Sequence, residues 1–209
     1  AEVALALALL SGASLMVASA HRLLGSDPGF RTDAILTLRL TLPEADYPAA
    51  ESATRFWDAL MDRARQVPGV RDAGVTTQLP MSWSESRAGV EVEGRPPRRP
   101  EDAPRVGVRI VSEGFLPAIG VQVSAGRALA REDDAGAPDV ALVSTSMAAR
   151  LWPESGAVGR RLRIRGGRWV TVVGVVGDVR GNVLTSSDPL PVLYLPERQR
   201  PARVMTLAV

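Results

Sequence analysis

Residues 3 to 20, VALALALLSGASLMVASA, run for eighteen positions without a charged side chain. A helix of that length rises about 27 Å, close to the ~30 Å hydrocarbon core of a bilayer. Its polar members are Ser11, Ser14 and Ser19, and Glu2 and His21-Arg22 bracket it. Three readings are open. A membrane-spanning helix is the first, with residues 1–25 as helix and stalk, lipid against 3–20 and His21 at the interface. A signal peptide is the second, because Ala18-Ser19-Ala20 has the A-x-A form of a cleavage site; the start at Ala1 and the lack of a basic leading region weigh against it. A buried helix of a soluble protein is the third, disfavoured because the stretch has no polar face. Both leading readings place the chain beyond Ala20 outside the cytoplasm. The start without Met is expected of a piece of a longer protein.

Composition then removes several kinds of chemistry. With Cys 0 there is neither a disulfide framework nor a thiolate metal site, and with His 1 there is no histidine cluster and little scope for a Ser-His-Asp triad. No cofactor or metal is expected. Every one of the 25 basic residues is arginine, against 23 acidic ones, for a net charge of +2. Arginine keeps its charge to very high pH, so the pI of 9.9 reflects the missing lysine rather than a basic excess. Nucleic acid is not an expected partner.

Beyond a turn at Ser26-Asp27-Pro28-Gly29-Phe30, the stretch Ala34–Leu42 alternates Leu36, Leu38, Leu40 and Leu42 with Thr37, Arg39 and Thr41. That period of two predicts a half-buried strand. Pro43 ends it, and a helix begins after Tyr47-Pro48 with Asp46 near its cap. Phe56, Trp57, Leu60, Met61, Ala64 and Val67 recur at helical spacing, and Pro68-Gly69 stops the helix. Val70–Leu79 reads as a second strand, so 34–79 has the form of a βαβ unit. The polar loop Pro80–Arg87 carries Trp83. A short strand at Val90–Glu93, the proline-rich connector Gly94–Pro104 and a strand at Val106–Val111 come next. Ser112–Ile119 reads as a short helix capped by Ser112 and stopped by Gly120. Asp139–Val143 is a buried strand, and Ser144 or Ser146 caps the next helix. Gly166-Gly167 between two alternating runs, Arg160–Arg165 and Trp169–Val176, predicts a hairpin. Val192–Leu195 and Val204–Val209 are strands, and the chain is expected to be truncated at its C-terminus.

Candidate chemistry is sparse. Gly174-Val175-Val176-Gly177-Asp178 lacks the third glycine and the succeeding helix of a dinucleotide fingerprint. Asp133-Asp134 and Glu101-Asp102 read as solvated turn residues. Arg161, Arg163 and Arg165 alternate with Leu162 and Ile164 along one strand face. They form either a basic stripe for an anionic headgroup or acidic partner, or the solvated face of a hairpin. Trp83 is a second candidate contact residue.

Taken together and in order, several segments resemble a known family. They are Leu24–Phe30 with the strand at 34–42, Leu42-Pro43 and Tyr47-Pro48; Val67-Pro68-Gly69-Val70 and Leu79-Pro80; and Val111-Ser112-Glu113-Gly114-Phe115-Leu116, Ile119-Gly120-Val121 and Ala125-Gly126-Arg127. Ala141-Leu142-Val143, Ala148-Ala149-Arg150-Leu151-Trp152-Pro153, Val158-Gly159-Arg160-Arg161-Leu162, Val173-Gly174-Val175-Val176-Gly177-Asp178-Val179 and Tyr194-Leu195-Pro196 complete the set. The pattern resembles the MacB-like periplasmic core domain of FtsX-type ABC transporter permeases, in particular the second half of the duplicated orphan permeases of acidobacterial type.

That resemblance implies an α+β fold: an N-terminal transmembrane helix, then a porter-like subdomain of ferredoxin-like βαβ units interrupted by a mixed α/β insertion of the kind called Sabre. The porter-like part would span 30–79 and 202–209, incomplete, and the insertion 80–201. It further implies a non-enzymatic role, in which a separate cytoplasmic ATPase drives export or extraction by mechanotransmission. The implied partners are a second permease half or homodimer partner and a periplasmic adaptor. The rival readings are a membrane-tethered binding or scaffold module without transport, and an extracytoplasmic hydrolase working without histidine.

Overall fold

The computed structural model describes residues 2–3, 9–17, 28–82, 86–180 and 189–209. The expected span at 3–20 therefore lies partly outside the described residues, and His21 and Trp83 lie wholly outside them. Residues 9–17 are helical, and Leu9, Leu10, Leu15, Met16 and Val17 are exposed. Among the described residues no helix is long and apolar enough to cross a membrane.

The strands are β1 (Thr37–Thr41), β2 (Gly74–Thr76), β3 (Arg87–Val92), β4 (Arg105–Val111), β5 (Val123–Gly126), β6 (Val140–Ser144), β7 (Arg161–Ile164), β8 (Val170–Val176), β9 (Val192–Pro196) and β10 (Val204–Ala208). The helices are α1 (Ala50–Arg65), α2 (Phe115–Ala118) and α3 (Thr145–Leu151). Strand order runs β1-β10-β2-β4-β3-β7-β8-β6-β9, with β5 beside β8 and an additional β4–β9 pairing. That last pairing closes β4, β3, β7, β8, β6 and β9 into a ring, which removes the free edges of those strands. Within the ring, β4–β9 and β6–β8 are parallel and the other pairs antiparallel.

At the other end of the sheet, β10 is antiparallel to both β1 and β2. The strand–helix–strand of the sequence is thus a split βαβ: β1 and β2 run parallel, but β10 lies between them. Val70–Leu79 shortens to three strand residues. Gly74 is needed there, because a Cβ on it would sit 2.1 Å from the Phe115 nitrogen at the start of α2. The three-stranded end meets the ring through Thr76↔Val111 and bonds beside it: Ser112 N donates to Val75 O, and Val75 N donates to Ser112 Oγ, both at 2.9 Å. Ser112 therefore does not cap α2, whose N-cap residue is Gly114. Its hydroxyl is spent joining two strands, and Gly120, at φ +76°, does end the turn.

Three clusters fill the interior. Val90 and Val92, Val106, Leu162, Val170 and Val172, Ala141 and Val143, and Leu193 and Leu195 place residues from all six ring strands in one core with Met147, Leu151 and Trp152 from α3 and its end. A second core of Phe115, Leu116, Ile119, Leu129, Leu142 and Tyr194 covers the outer side of β6 and β9. Both strands are buried at every position, as their unbroken apolar runs require. Between the candidate caps of α3, Ser144 serves: its Oγ accepts from Met147 N. The third core packs Ala53, Trp57 and Met61 of α1 on Val75, Met205 and Leu207. Strand β1 departs from expectation. Its alternation is real, but Leu36 and Leu38 are 69% and 49% exposed, on the open edge of the sheet.

Candidate coupling junction and arginine face

Helix α1 begins after Pro48, with no side-chain cap hydrogen bond; the N-cap is Ala49, not Asp46. Its apolar stripe faces the three-stranded end, and Trp57 Nε1 donates to Ala202 O at 2.8 Å. Beside that stripe lies a second one, Thr54, Asp58, Asp62 and Arg65, spaced by four, four and three residues and so on one helix face. Every member meets a residue from beyond the three-stranded end. Thr54 Oγ1 donates to Glu197 Oε1 at 3.0 Å, and Arg198 Nη2 reaches Asp58 Oδ1 at 2.5 Å. Arg131 Nη2 donates to Asp62 Oδ1 at 3.0 Å, and Arg65 Nη2 lies 3.8 Å from Glu113 Oε1. Arg131 also reaches Glu113 at 3.4 Å, and Arg65 reaches Asp62 at 2.9 Å, so these four close an alternating network. The more exposed pairs, Arg131–Asp62 and Arg65–Asp62, each contribute about 0–1 kcal/mol. In a row the contacts of this stripe fix the direction in which α1 lies against its neighbours.

The most enclosed point of this row is Glu197, 1% exposed, in the 3₁₀ turn Glu197–Gln199 between β9 and β10. Its Oε2 is buried and has no hydrogen-bond partner among the described residues. Burial penalises the charged form and, with Asp58 and Glu113 nearby, outweighs the Thr54 hydroxyl and the Arg198 charge, pushing the Glu197 carboxyl up to about 7. The next turn residue but one, Gln199, ties the same segment to the ring: its Oε1 accepts from Val140 N at 3.0 Å.

The arginine stripe is divided. Arg161 Nη1 bonds Glu93 Oε1 at 2.8 Å, and Arg163 bonds Glu91 Oε2 through Nε at 2.8 Å and Nη2 at 2.6 Å. Both guanidiniums also lie over the Trp169 ring, at 5.7 and 4.8 Å from its centroid. Arg165 does not share that face. The hairpin turn is centred on Arg165-Gly166, φ +44° and +73°, with Gly167 N donating to Ile164 O at 2.8 Å. That is a type I′ turn one residue earlier than the glycine pair predicts.

Asp133 also departs from expectation. It is buried and accepts both Arg127 Nη1 and Nη2, at 2.8 and 2.7 Å, and Ala130 N at 2.9 Å. Burial alone would raise its pKa, but the arginine and the backbone donor prevail and hold it below the usual carboxylate range. Asp134 remains exposed and accepts from Gly136 N and Ala137 N. No group of three or more metal-ligating side chains gathers among the described residues.

The junction was partly legible. The spacing of Thr54, Asp58, Asp62 and Arg65 marks one helix face, which the apolar stripe overshadows. Their partners carry no local signal; Glu197 lies 143 residues from Thr54.

The architecture is thus a split βαβ end continuous with a strand ring, the two joined by polar contacts along α1. The chain belongs to the family of MacB-like periplasmic core domains, whose model matches residues 3–209. Its fold is similar to that of the periplasmic region of MacB from Actinobacillus actinomycetemcomitans, with TM-score 0.54 and 13% identity over 90% of this chain and 78% of that one. It is also similar to the extracellular domain of the noncanonic ABC-type transporter YknZ from Gram-positive bacteria, with TM-score 0.50 and 16% identity over 83% of this chain and 82% of that one. No curated protein sequence matches it.

Proposed function

We propose that this chain is the extracytoplasmic part of an ABC-type permease subunit and transmits motion between the membrane and the periplasm. The observation that carries the reading is the polar stripe of α1. It ties the three-stranded end, whose first strand comes after the N-terminal segment, to the ring at four successive points. Displacement of the N-terminal segment then turns both parts together. In this reading residues 3–20 span the bilayer, in keeping with the exposed apolar side chains of 9–17. The porter-like part takes in 30–79 and 202–209, and the insertion takes in 80–201. The order β1-β10-β2 leaves β1 an open edge, where a further strand of the porter-like part would pair. The partners are a separate cytoplasmic ATPase, a second permease half or a second copy, and a periplasmic adaptor.

The test is a pull-down of the full-length protein from native membranes in mild detergent, with mass spectrometry. The expected result is a nucleotide-binding subunit whose ATPase activity depends on the permease. Recovery of envelope proteins alone would overturn the transport reading in favour of a tethered scaffold.

A further inference from the structure

The proline-rich connector and the β7–β8 turn, distant in sequence, face each other across an open groove of about 620 Å³. Arg98, Arg99, Arg105 and Arg165 line it. Two acids share the lining, Glu91 and Glu101. Glu91 is already held by two bonds from Arg163, and Glu101 lies 4.0 Å from Arg99 with both side chains largely exposed. Arg98, Arg105 and Arg165 have no ion pair among the described residues. The contrast with Arg161 and Arg163 is sharp: on the strand face each guanidinium has its own carboxylate, whereas in the groove three are left over.

The three arginines are exposed, and two backbone features mark the segments that carry Arg98 and Arg165. Pro96, Pro97 and Pro100 fix φ along the connector, so Arg98 and Arg99 sit on a stiffened segment. Arg165 occupies a left-handed position at φ +44° that type I′ turns normally give to Asn or Gly. A bulky side chain is strained there, and such strain is found where a side chain has a task. The volume is that of a small-ligand site. Arginine's planar fork suits phosphoryl oxygens, which accept two bonds at a time. The rings of Pro96 and Pro97 add an apolar wall. We infer that this groove binds a phosphoryl-bearing ligand, with Arg98, Arg105 and Arg165 as its charge-pairing donors.

The ligand chemistry has two sources, a soluble phosphate compound or a phospholipid headgroup, and the probes separate them. Pyrophosphate is titrated calorimetrically into the protein, and flotation is measured with phosphatidylglycerol vesicles against phosphatidylcholine vesicles. Saturable pyrophosphate binding assigns a soluble ligand; selective flotation on phosphatidylglycerol assigns a headgroup. Either must weaken about tenfold in Arg165→Gly, a loss matching one charge-assisted hydrogen bond. Glycine accepts the turn geometry without strain, so this variant keeps its fold, which an unchanged or raised Tm checks. Arg161→Ala, outside the groove, must leave binding unchanged. Binding to neither probe, or binding weakened equally by both substitutions, overturns the assignment.

Discussion

The two ends of the sheet carry different strand patterns and bury them differently: unbroken apolar runs in β6 and β9, alternation in β1. In β6 and β9 every residue is buried, because the strands belong to a closed ring with a core on each side. In β1 Leu36, Leu38 and Leu40 alternate regularly with polar residues, yet Leu36 and Leu38 face solvent and only Leu42 is fully buried. Period-two patterning says which residues share a face; what covers that face is decided by elements distant in sequence. The ring is therefore held by its interior. The three-stranded end is held by one helix whose apolar stripe faces inward and whose polar stripe reaches across.

The largest test of that contrast removes the helix anchor. Trp57→Ala empties the centre of the third core, at an expected cost of about 3–5 kcal/mol. Hydrogen exchange should then show β1, β2 and β10 opening while β6 and β9 stay protected. Equal loss of protection in both regions would show that they unfold as one unit.

Next comes Glu197. Its native pKa of about 7 lies above the ordinary 4.5, so the native state holds a proton that the unfolded chain releases. The resulting stability is full below about pH 4.5 and declines as pH rises to about 7. The shift corresponds to about 3 kcal/mol at most. Glu197→Gln should flatten this decline, as read from urea unfolding midpoints between pH 4.5 and 7.5. Asp133 has the opposite sign: its lowered pKa stabilises above the ordinary 3.8, and the gain is lost as pH falls through the native value. Asp133→Asn should flatten the stability profile on that acid side.

Smaller still is Asp58→Ala, which leaves the mostly buried Arg198 without its carboxylate, at an expected cost of about 1–3 kcal/mol. Smallest is Leu38→Ser on the open edge, expected within about 0.5 kcal/mol in thermal unfolding. A cost as large as that of Trp57→Ala would mean that the edge is covered in solution.

Local chemistry was the legible part of this fold. The α1 stripe, the stop at Gly120, the cap at Ser144 and the hairpin between β7 and β8 are each specified within a few residues. Ring closure is not, because β4 and β9 pair in parallel across more than eighty residues with nothing local to mark it. β5 has no counterpart in the sequence pattern. The hairpin turn slipped by one residue because two adjacent glycines admit either register, and the structure places Arg165 where glycine was expected. Asp133 looked like a loop acid because its partner Arg127 reads as one more surface arginine. The alternation that joined Arg165 to Arg161 and Arg163 ended one residue too late.

The central claim is that the polar stripe of α1 fixes the three-stranded end against the ring. The chain contains no cysteine, so spin labels at Ala59→Cys on α1 and Ser155→Cys beside the ring report on these two sites alone. Pulsed dipolar spectroscopy on the labelled full chain should give one narrow distance distribution. Adding Asp58→Ala and Asp62→Ala should broaden it while circular dichroism stays unchanged. A distribution equally narrow with the stripe removed would contradict the account.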